Sequence, residues 1–247
     1  MTLSILGLGF VLGLKHALDT DHLIAVTTIV GERKGIANSA GVGVLWGLGH
    51  TASLLIFGVA VIALHIQIPQ QVALLMELGV AIMLVSLGVN VIYKLVRGGL
   101  LHTHIHVHGT HVHAHPHIHE HAYEHDHATH ALSFGTIPQH LRDLLSSGKK
   151  SVFIGMVHGL AGSAALMLIV LATIPSTGLA LAYIGIFGFG SVGGMMVMSA
   201  LIGIPFLFTA QKSDRLNHLI RLVSGVLSIA FGLFYGWQIA IVERLLF

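Results

Sequence analysis

The sequence predicts an all-α integral membrane protein with about six transmembrane helices, arranged as two inverted three-helix repeats. Two observations predict this class. Hydrophobic residues make up 54% of the 247 residues and charged residues only 9%, against about 25% charged residues in an ordinary soluble domain. In addition, the mean hydropathy is +0.86, so there are too few polar side chains to cover a soluble fold of this size.

The composition also excludes several classes of function. A soluble enzyme and a disordered chain are both excluded by the apolar content. The chain has no cysteine, which excludes disulfides and thiolate metal sites. A formal net charge of +2 is too small to indicate nucleic-acid binding. By contrast, 20 histidines stand beside few other ionisable groups, which makes imidazole the dominant chemistry of this chain.

A helix that crosses a bilayer needs about 20 mostly apolar residues. Six stretches meet this requirement, and several exceed it, so we expect some spans to be tilted or broken. The predicted spans are Leu3–Val30, Ile36–His65, Val72–Leu95, Val152–Ile174, Leu179–Thr209 and Leu219–Ile241.

The basic residues predict the orientation of these spans, because Lys and Arg concentrate in cytoplasmic connections. The connections between spans one and two, three and four, and five and six carry most of them. We therefore expect a multi-pass protein of the cell membrane with these connections in the cytoplasm and both termini outside. The residues concerned are Arg33, Lys34, Lys94, Arg97, Arg142, Lys149, Lys150, Lys212 and Arg215.

The two halves of the chain resemble each other. The segment Gly13–Leu18 in span one corresponds to Gly155–Leu160 in span four, and Trp46–His50 in span two corresponds to Phe187–Ser191 in span five. Three spans per half would place the second half upside down relative to the first, which is a common transporter architecture. The sequence thus divides into a first repeat (1–97), a histidine-rich cytoplasmic loop (98–150) and a second repeat (151–247).

Span one carries the strongest functional signal, since His16, Asp19, Asp21 and His22 interrupt its apolar run. Such groups cost several kcal/mol inside a bilayer. Residues three apart share a helix face, which predicts His16–Asp19 and Asp19–His22 as neighbouring pairs, and Asp21 would join them only if the helix unwinds locally. Imidazole with carboxylate suits Ni(II), Co(II), Zn(II) or Cu(II). The alternative is a buried ion-pair cluster that only locks helices together.

Other polar residues in the spans are secondary candidates. His50 follows two glycines that allow close helix approach, which would bring it against span one, although a hydrogen bond to a backbone carbonyl is an alternative. His158 corresponds to His16 in the repeat, but the second half has no carboxylates at the positions of Asp19 and Asp21. A role on the ion pathway or in packing therefore suits His158 better than a role as a metal ligand. Glu77 is weaker still, because its position near the end of span three also suits a side chain that faces lipid headgroups.

The connection between spans three and four holds most of the histidines. We expect an irregular, metal-binding loop, which buffers divalent metal at many similar sites and is dispensable for transport. The alternative is a solvated linker that binds metal only incidentally. The buffering candidates are His102, His104, His106, His108, His111, His113, His115, His117, His119 and His121.

Two of these motifs resemble a known family. The segment His16–His22 resembles the H-x-x-x-x-D-H signature of the nickel/cobalt transporter (NiCoT/NicO) superfamily, and Leu48–Thr51 resembles its L-G-H-S/T motif. The resemblance covers about residues 10–60. It implies that both motifs form or line a metal path, with His16, Asp19, Asp21, His22 and His50 as its residues.

The family resemblance also implies a function. Its members are permeases, not ATPases, and include both importers and exporters. Classical importers have about eight spans and acidic later motifs, which this chain lacks, so it is more similar to the shorter branch associated with urease and hydrogenase accessory loci. We therefore expect a secondary transporter of Ni(II), and of Co(II) as a second substrate, with uptake favoured.

Several expectations about partners and alternatives follow. The chain has no Gly-rich phosphate loop, so we expect no use of ATP, no catalysis and no resident cofactor. The expected partners are the divalent metal ion, the lipid bilayer and a cytoplasmic metallochaperone that receives the metal. Efflux, a zinc carrier and a non-transporting metal store stay open as alternatives. An intramembrane metalloprotease would need an H-E-x-x-H motif, which the sequence lacks.

Overall fold

The computed structural model describes residues 2–31, 35–64, 69–97, 102–108, 111–117, 139–160, 174, 176–243 and 245, with the backbone alone between 102 and 147. The strands are β1 (His102–His108) and β2 (His111–His117), and the helices are α1 (Thr2–His16), α2 (Thr20–Val30), α3 (Ile36–Leu64), α4 (Gln70–Arg97), α5 (Gln139–Leu160), α6 (Thr177–Lys212) and α7 (Asp214–Trp237). A single π-helical turn, Gln238–Val242, continues α7.

Four of the described helices, α3, α4, α6 and α7, are long and apolar enough to cross a membrane. Helices α1 and α2 add a fifth candidate span if they are taken together, because they meet at a bend of 54°. The predicted fourth span, Val152–Ile174, begins within α5, but residues 161–173 lie outside the described residues. Large apolar side chains such as Phe189 (71% exposed) and Phe153 (66% exposed) point away from the helix bundle, as expected of a surface that faces lipid.

Part of the histidine-rich connection is regular, so the expectation of an irregular loop is wrong for residues 102–108 and 111–117. The strands β1 and β2 pair antiparallel, and the register places His104 opposite His115 and His106 opposite His113. Alternation of histidine with residues such as Ile105 and Val112 explains this, since β-branched residues favour strands and a strand has a period of two.

Small residues let the helices approach at backbone distance. A Cβ atom on Gly13 of α1 would collide with the backbone of Phe187 in α6, and one on Gly155 of α5 would collide with the backbone of Trp46 in α3. These contacts join α1, α3, α5 and α6 into one four-helix unit, with α3 touching both α5 and α6 along its length. Because backbones touch without intervening side chains, the positions of residues near these crossings are fixed closely.

Helices α4 and α7 form a second unit and contact each other far more than they contact the other helices. Gly88 packs against the backbone of Gly225, and Gly232 packs against the backbone of Ala81. A Cβ atom at Gly232 would lie only 2.8 Å from the carbonyl oxygen of Ala81. The Ser228 hydroxyl donates a hydrogen bond to a carbonyl of α4 at 2.7 Å. Helix α2 lies between the two units and touches helices of both.

The close contacts are reciprocal between the two halves of the chain. Gly13 contacts Phe187, and its counterpart Gly155 contacts Trp46, the counterpart of Phe187. Within the α4–α7 pair, Gly88 contacts Gly225 and Gly232 contacts Ala81. Each half therefore packs against the other through equivalent residues.

Candidate metal centre

The first predicted span breaks in the middle of its polar motif. The amide of Leu18 donates to the carbonyl of Lys15 at 2.9 Å, and the amide of Asp19 donates to the carbonyl of His16 at 3.0 Å. These tighter turns end α1, and Asp19 has an extended backbone (ψ 145°) just before α2 begins. The local unwinding that the sequence analysis requires for Asp21 is therefore present.

Three buried imidazoles meet where α1, α2 and α3 converge. The Nε2 atoms of His16 and His50 lie 3.1 Å apart, and the rings of His16 and His22 make an edge contact with centroids 4.5 Å apart. One ring nitrogen from each of the three residues lies within 4.8 Å of the others. All three side chains are at most 8% exposed. We call His16, His22 and His50 the first triad.

A second group of ligand-type atoms adjoins the first and shares His22 with it. The Nε2 atom of His158 in α5 lies 2.8 Å from Oδ2 of Asp21, and the rings of His22 and His158 have centroids 4.1 Å apart. Ligand-type atoms of Asp21, His22 and His158 again lie within 4.8 Å of one another. We call these residues the second triad. His158, the weakest imidazole candidate of the spans on sequence grounds, is thus part of the cluster.

The two carboxylates of the motif take different positions. Oδ2 of Asp19 lies 2.6 Å from Nδ1 of His16, and the Asp19 side chain is 46% exposed. Asp19 makes no hydrogen bond to His22, because neither ring nitrogen of His22 has a hydrogen-bond partner among the described residues. Asp21 is 23% exposed and bonds to His158.

Unpartnered nitrogens argue against a cluster that only locks helices together. Both ring nitrogens of His22 and Nδ1 of His158 are buried without a hydrogen-bond partner among the described residues. Buried polar groups in a structural cluster are normally satisfied by hydrogen bonds, and leaving one unsatisfied costs about 1–3 kcal/mol. Ligand-type atoms that lie within 4.8 Å of one another, with unpartnered ring nitrogens among their residues, are instead typical of a metal site.

Trp46 forms one wall of the cluster, a role that the sequence analysis missed. Its indole stacks on His22 at a centroid distance of 5.6 Å with planes 13° apart, and it makes an edge contact with His158 at 5.6 Å. Trp46 is fully buried. Its spacing of four residues from His50 is the signal that could have identified it, because residues four apart share a helix face.

A cavity of about 220 Å³ adjoins the two triads. One side of the cavity is lined by Phe231 and Tyr235 of α7. The other side is lined by His158 and by four residues of the first motif, His16, Asp19, Thr20 and Asp21. The hydroxyl of Tyr235 donates a hydrogen bond to Oε2 of Glu77 at 3.2 Å. Glu77 therefore belongs to the surroundings of the cavity, and Tyr235 and Phe231 are further residues that the sequence analysis did not identify.

The histidines of the predicted buffering loop lie apart from this centre in the chain. Those of 102–108 and 111–117 belong to the β1–β2 hairpin. His119 and His121 lie outside the described residues.

Comparison with known proteins matches this chain to one family over nearly its whole length. Residues 2–236 match the family NicO, described as "High-affinity nickel-transport protein". The chain is also 40% identical, over 248 aligned residues, to the urease accessory protein UreH of Bacillus sp. (strain TB-90), covering 98% of this chain and 95% of that protein. No solved structure shows a significant match.

These matches confirm the resemblance inferred from the two motifs in α1–α3. A family match across 2–236 also extends it far beyond residues 10–60. Together with the apolar helices, the match identifies a multi-pass membrane protein. The chain belongs to the NicO family of nickel-transport proteins.

Proposed function

We propose that the chain is a secondary transporter that carries Ni(II), and Co(II) as a second substrate, through the two triads, with uptake as the favoured direction. One observation carries this proposal: two buried groups of ligand atoms share His22, whose ring nitrogens have no partner among the described residues. A shared ligand allows an ion to move from one group to the next without returning to water.

Distances within the first triad support metal binding. Imidazole nitrogens bound to one ion at about 2.0–2.1 Å lie roughly 2.9–3.4 Å apart, depending on the bond angle. The Nε2 atoms of His16 and His50 are 3.1 Å apart. Nitrogen and carboxylate ligands suit Ni(II) as well as Cu(II) and Co(II), so the selectivity for nickel is supported by the family rather than by this geometry.

The carboxylates supply charge and orientation. Asp19 holds Nδ1 of His16, which directs Nε2 of that ring toward His50 and fixes its tautomer, as outer partners of metal-bound histidines commonly do. Asp21 contributes an oxygen atom to the second triad. Two carboxylates beside neutral imidazoles also offset the two positive charges of the ion, which lowers the cost of holding it inside the membrane.

For the whole chain we propose uptake by two inverted repeats that move relative to each other. The reciprocal glycine contacts between the halves support two repeats of opposite orientation, with the metal centre at their interface. We place the β1–β2 hairpin in the cytoplasm, where its cross-strand histidine pairs buffer released metal before a metallochaperone takes it. ATP has no part in this scheme.

The proposal is tested by measuring total cellular nickel, cobalt and zinc in a host that expresses the chain. His22→Ala should reduce nickel accumulation to the level of the empty vector, because both triads lose their common ligand. The matched control is His218→Ala, an exposed histidine of α7, which should leave accumulation unchanged. Both proteins are first compared for the amount present in the membrane.

Other results would support a different function. Cellular nickel below the vector level, together with tolerance to toxic nickel, would indicate efflux through the same site. Accumulation of zinc alone would indicate a zinc carrier. A variant lacking residues 102–121 should keep its nickel uptake, and if bound metal followed this hairpin region rather than His22, the chain would be a metal store.

A further inference from the structure

A carboxylate that lies outside both triads is hydrogen-bonded to the lining of the cavity. Tyr235 lines the cavity opposite Asp21 and His158, and its hydroxyl donates a hydrogen bond to Oε2 of Glu77 at 3.2 Å. Glu77 is half-buried in α4, two turns from the beginning of that helix. Tyr235 lies close to the end of α7, so both residues belong to the same end of the bundle.

Three carboxylates of the described residues lie in this region. Glu77 lies within electrostatic range of Asp21 and of Glu243, which follows the π-helical turn. Tyr235 lies within range of all three carboxylates. Glu243 is exposed, Glu77 and Asp21 are half-buried, and Asp21 lines the cavity. A series of like charges in a poorly solvated region lowers the electrostatic potential there and attracts cations.

The lining of the cavity includes a group that can receive an ion. His158 lines it, is 2% exposed, and has a buried Nδ1 atom without a hydrogen-bond partner among the described residues. A carboxylate that is hydrogen-bonded to a residue of the cavity lining differs from a glutamate that faces lipid headgroups. In the latter case the side chain would have no reason to be fixed by the hydroxyl of a neighbouring helix.

We infer that Glu77 is a cation-capture residue on the path to the second triad, and that Tyr235 is the positioning residue that holds its carboxylate toward the cavity. The inference rests on the proposed function for the identity of the cargo, a hydrated divalent transition-metal ion. It adds a residue from α4 and one from α7 to a path that otherwise involves α1, α2, α3 and α5. Its test does not depend on transport.

The absence of cysteine allows a direct measurement of the potential in the cavity. Thr20 lines the cavity, so Thr20→Cys gives a single thiol there. We would compare the rates at which an aminoethyl (cationic) and a sulfonatoethyl (anionic) methanethiosulfonate modify it in the purified protein. The cationic reagent should react faster. Adding Glu77→Gln should lower the ratio of the two rates roughly tenfold, since one nearby unit charge changes each rate by about threefold in opposite directions.

The matched control is Asp214→Asn in the same Thr20→Cys background. It makes the same change in net charge at an exposed position at the other end of α7, and it should leave the ratio unchanged. Tyr235→Phe keeps the carboxylate but removes the hydroxyl that holds it, so its ratio should fall to a value between the parent and Glu77→Gln. If Thr20→Cys fails to fold, Phe231→Cys places the thiol on the opposite wall of the cavity.

Three results would overturn the inference: an unchanged ratio in Glu77→Gln, an equal fall in Asp214→Asn, or a ratio in Tyr235→Phe equal to that of the parent. A second measurement separates it from the proposed function. Ni(II) should protect the introduced thiol from modification, and Glu77→Gln should raise the half-protecting concentration. A charge-dependent ratio without any nickel protection would leave Glu77 as a cation-capture residue and contradict nickel as the cargo.

Discussion

At the scale of single residues, His22 is the side chain on which the centre depends most. It has three aromatic neighbours besides His50, namely His16, His158 and Trp46, and these leave little room for its ring to change rotamer. The ring is therefore held in place by packing while its nitrogens stay available. Such preorganisation lowers the entropic cost of binding an ion.

Trp46 offers an optical signal for metal binding. The chain has two tryptophans, Trp46 and Trp237, and only Trp46 contacts the rings of the two triads in the described part of the chain. We predict that Ni(II), a paramagnetic ion, quenches tryptophan fluorescence of the protein in detergent. Trp237→Phe should keep this quenching, because that residue is 55% exposed at the end of α7.

Trp46→Phe is the matched variant, and it should abolish the saturable quenching while it retains a ring against His22. Titration of both variants with Ni(II) checks the prediction. Equal quenching in the two variants would show that the ion binds elsewhere in the molecule.

Some residues of the centre can be predicted from the sequence and others cannot. His16, Asp19, Asp21, His22 and His50 are recognisable because charged or ionisable groups are rare in apolar spans. Trp46, Phe231 and Tyr235 are apolar or aromatic residues in apolar helices, where such residues are common. Only tertiary packing distinguishes them, so the sequence predicts the ligands better than the walls of the site.

At the scale of helices, close packing at glycine determines how α1 and α6 meet. The Cβ of any larger residue at Gly13 would overlap the carbonyl of Phe187. This crossing lies one turn before His16, whose ring also contacts Phe187 at a centroid distance of 5.7 Å. A change in the separation of the two helices would therefore move a ligand of the first triad.

Gly13→Ala should destabilise the protein, since overpacking of a tight interface costs about 1–3 kcal/mol. Gly7→Ala is the control in the same helix, because a Cβ at Gly7 meets nothing within 4 Å. It should be neutral or stabilising by up to about 1 kcal/mol, as alanine favours a helix over glycine. Thermal unfolding of both variants in detergent measures the difference, and equal midpoints would contradict a tight α1–α6 contact.

The spans were easier to predict than the interruptions in them. Apolar length alone identifies α3, α4, α6 and α7. Inside a bilayer every backbone N–H and C=O group needs an internal hydrogen bond, and a helix supplies these bonds within a single segment. The break at 17–19 was expected only as a condition for Asp21 to join the site. The β1–β2 hairpin was not expected, because the sequence shows no pairing partner for a strand of alternating histidines. The structure shows that two such runs pair with each other.

At the scale of the whole molecule, transport of a divalent cation without a second ion is electrogenic. Moving two charges through 100 mV corresponds to about 4.6 kcal/mol, which equals roughly three orders of magnitude in the equilibrium concentration ratio. The membrane potential of a cell is thus sufficient to concentrate nickel inside it.

In proteoliposomes, an inside-negative potassium diffusion potential should raise nickel uptake, and reversing its sign should suppress uptake. Uptake is measured with radioactive or dye-detected nickel, with His22→Ala vesicles as the control. Uptake that ignores the potential and follows a pH gradient would contradict uniport and favour exchange with protons, which is the coupling that export requires.

The separation of the α4–α7 pair from the four-helix unit has a mechanical consequence. Phe231 and Tyr235 belong to the pair, while the opposite wall of the cavity belongs to α1, α2 and α5. If the pair tilts as a rigid body, Tyr235 and Glu77 move together and their hydrogen bond survives the movement. We then expect the width of the cavity, rather than the shape of either triad, to change during the transport cycle, with α2 as the hinge between the two units.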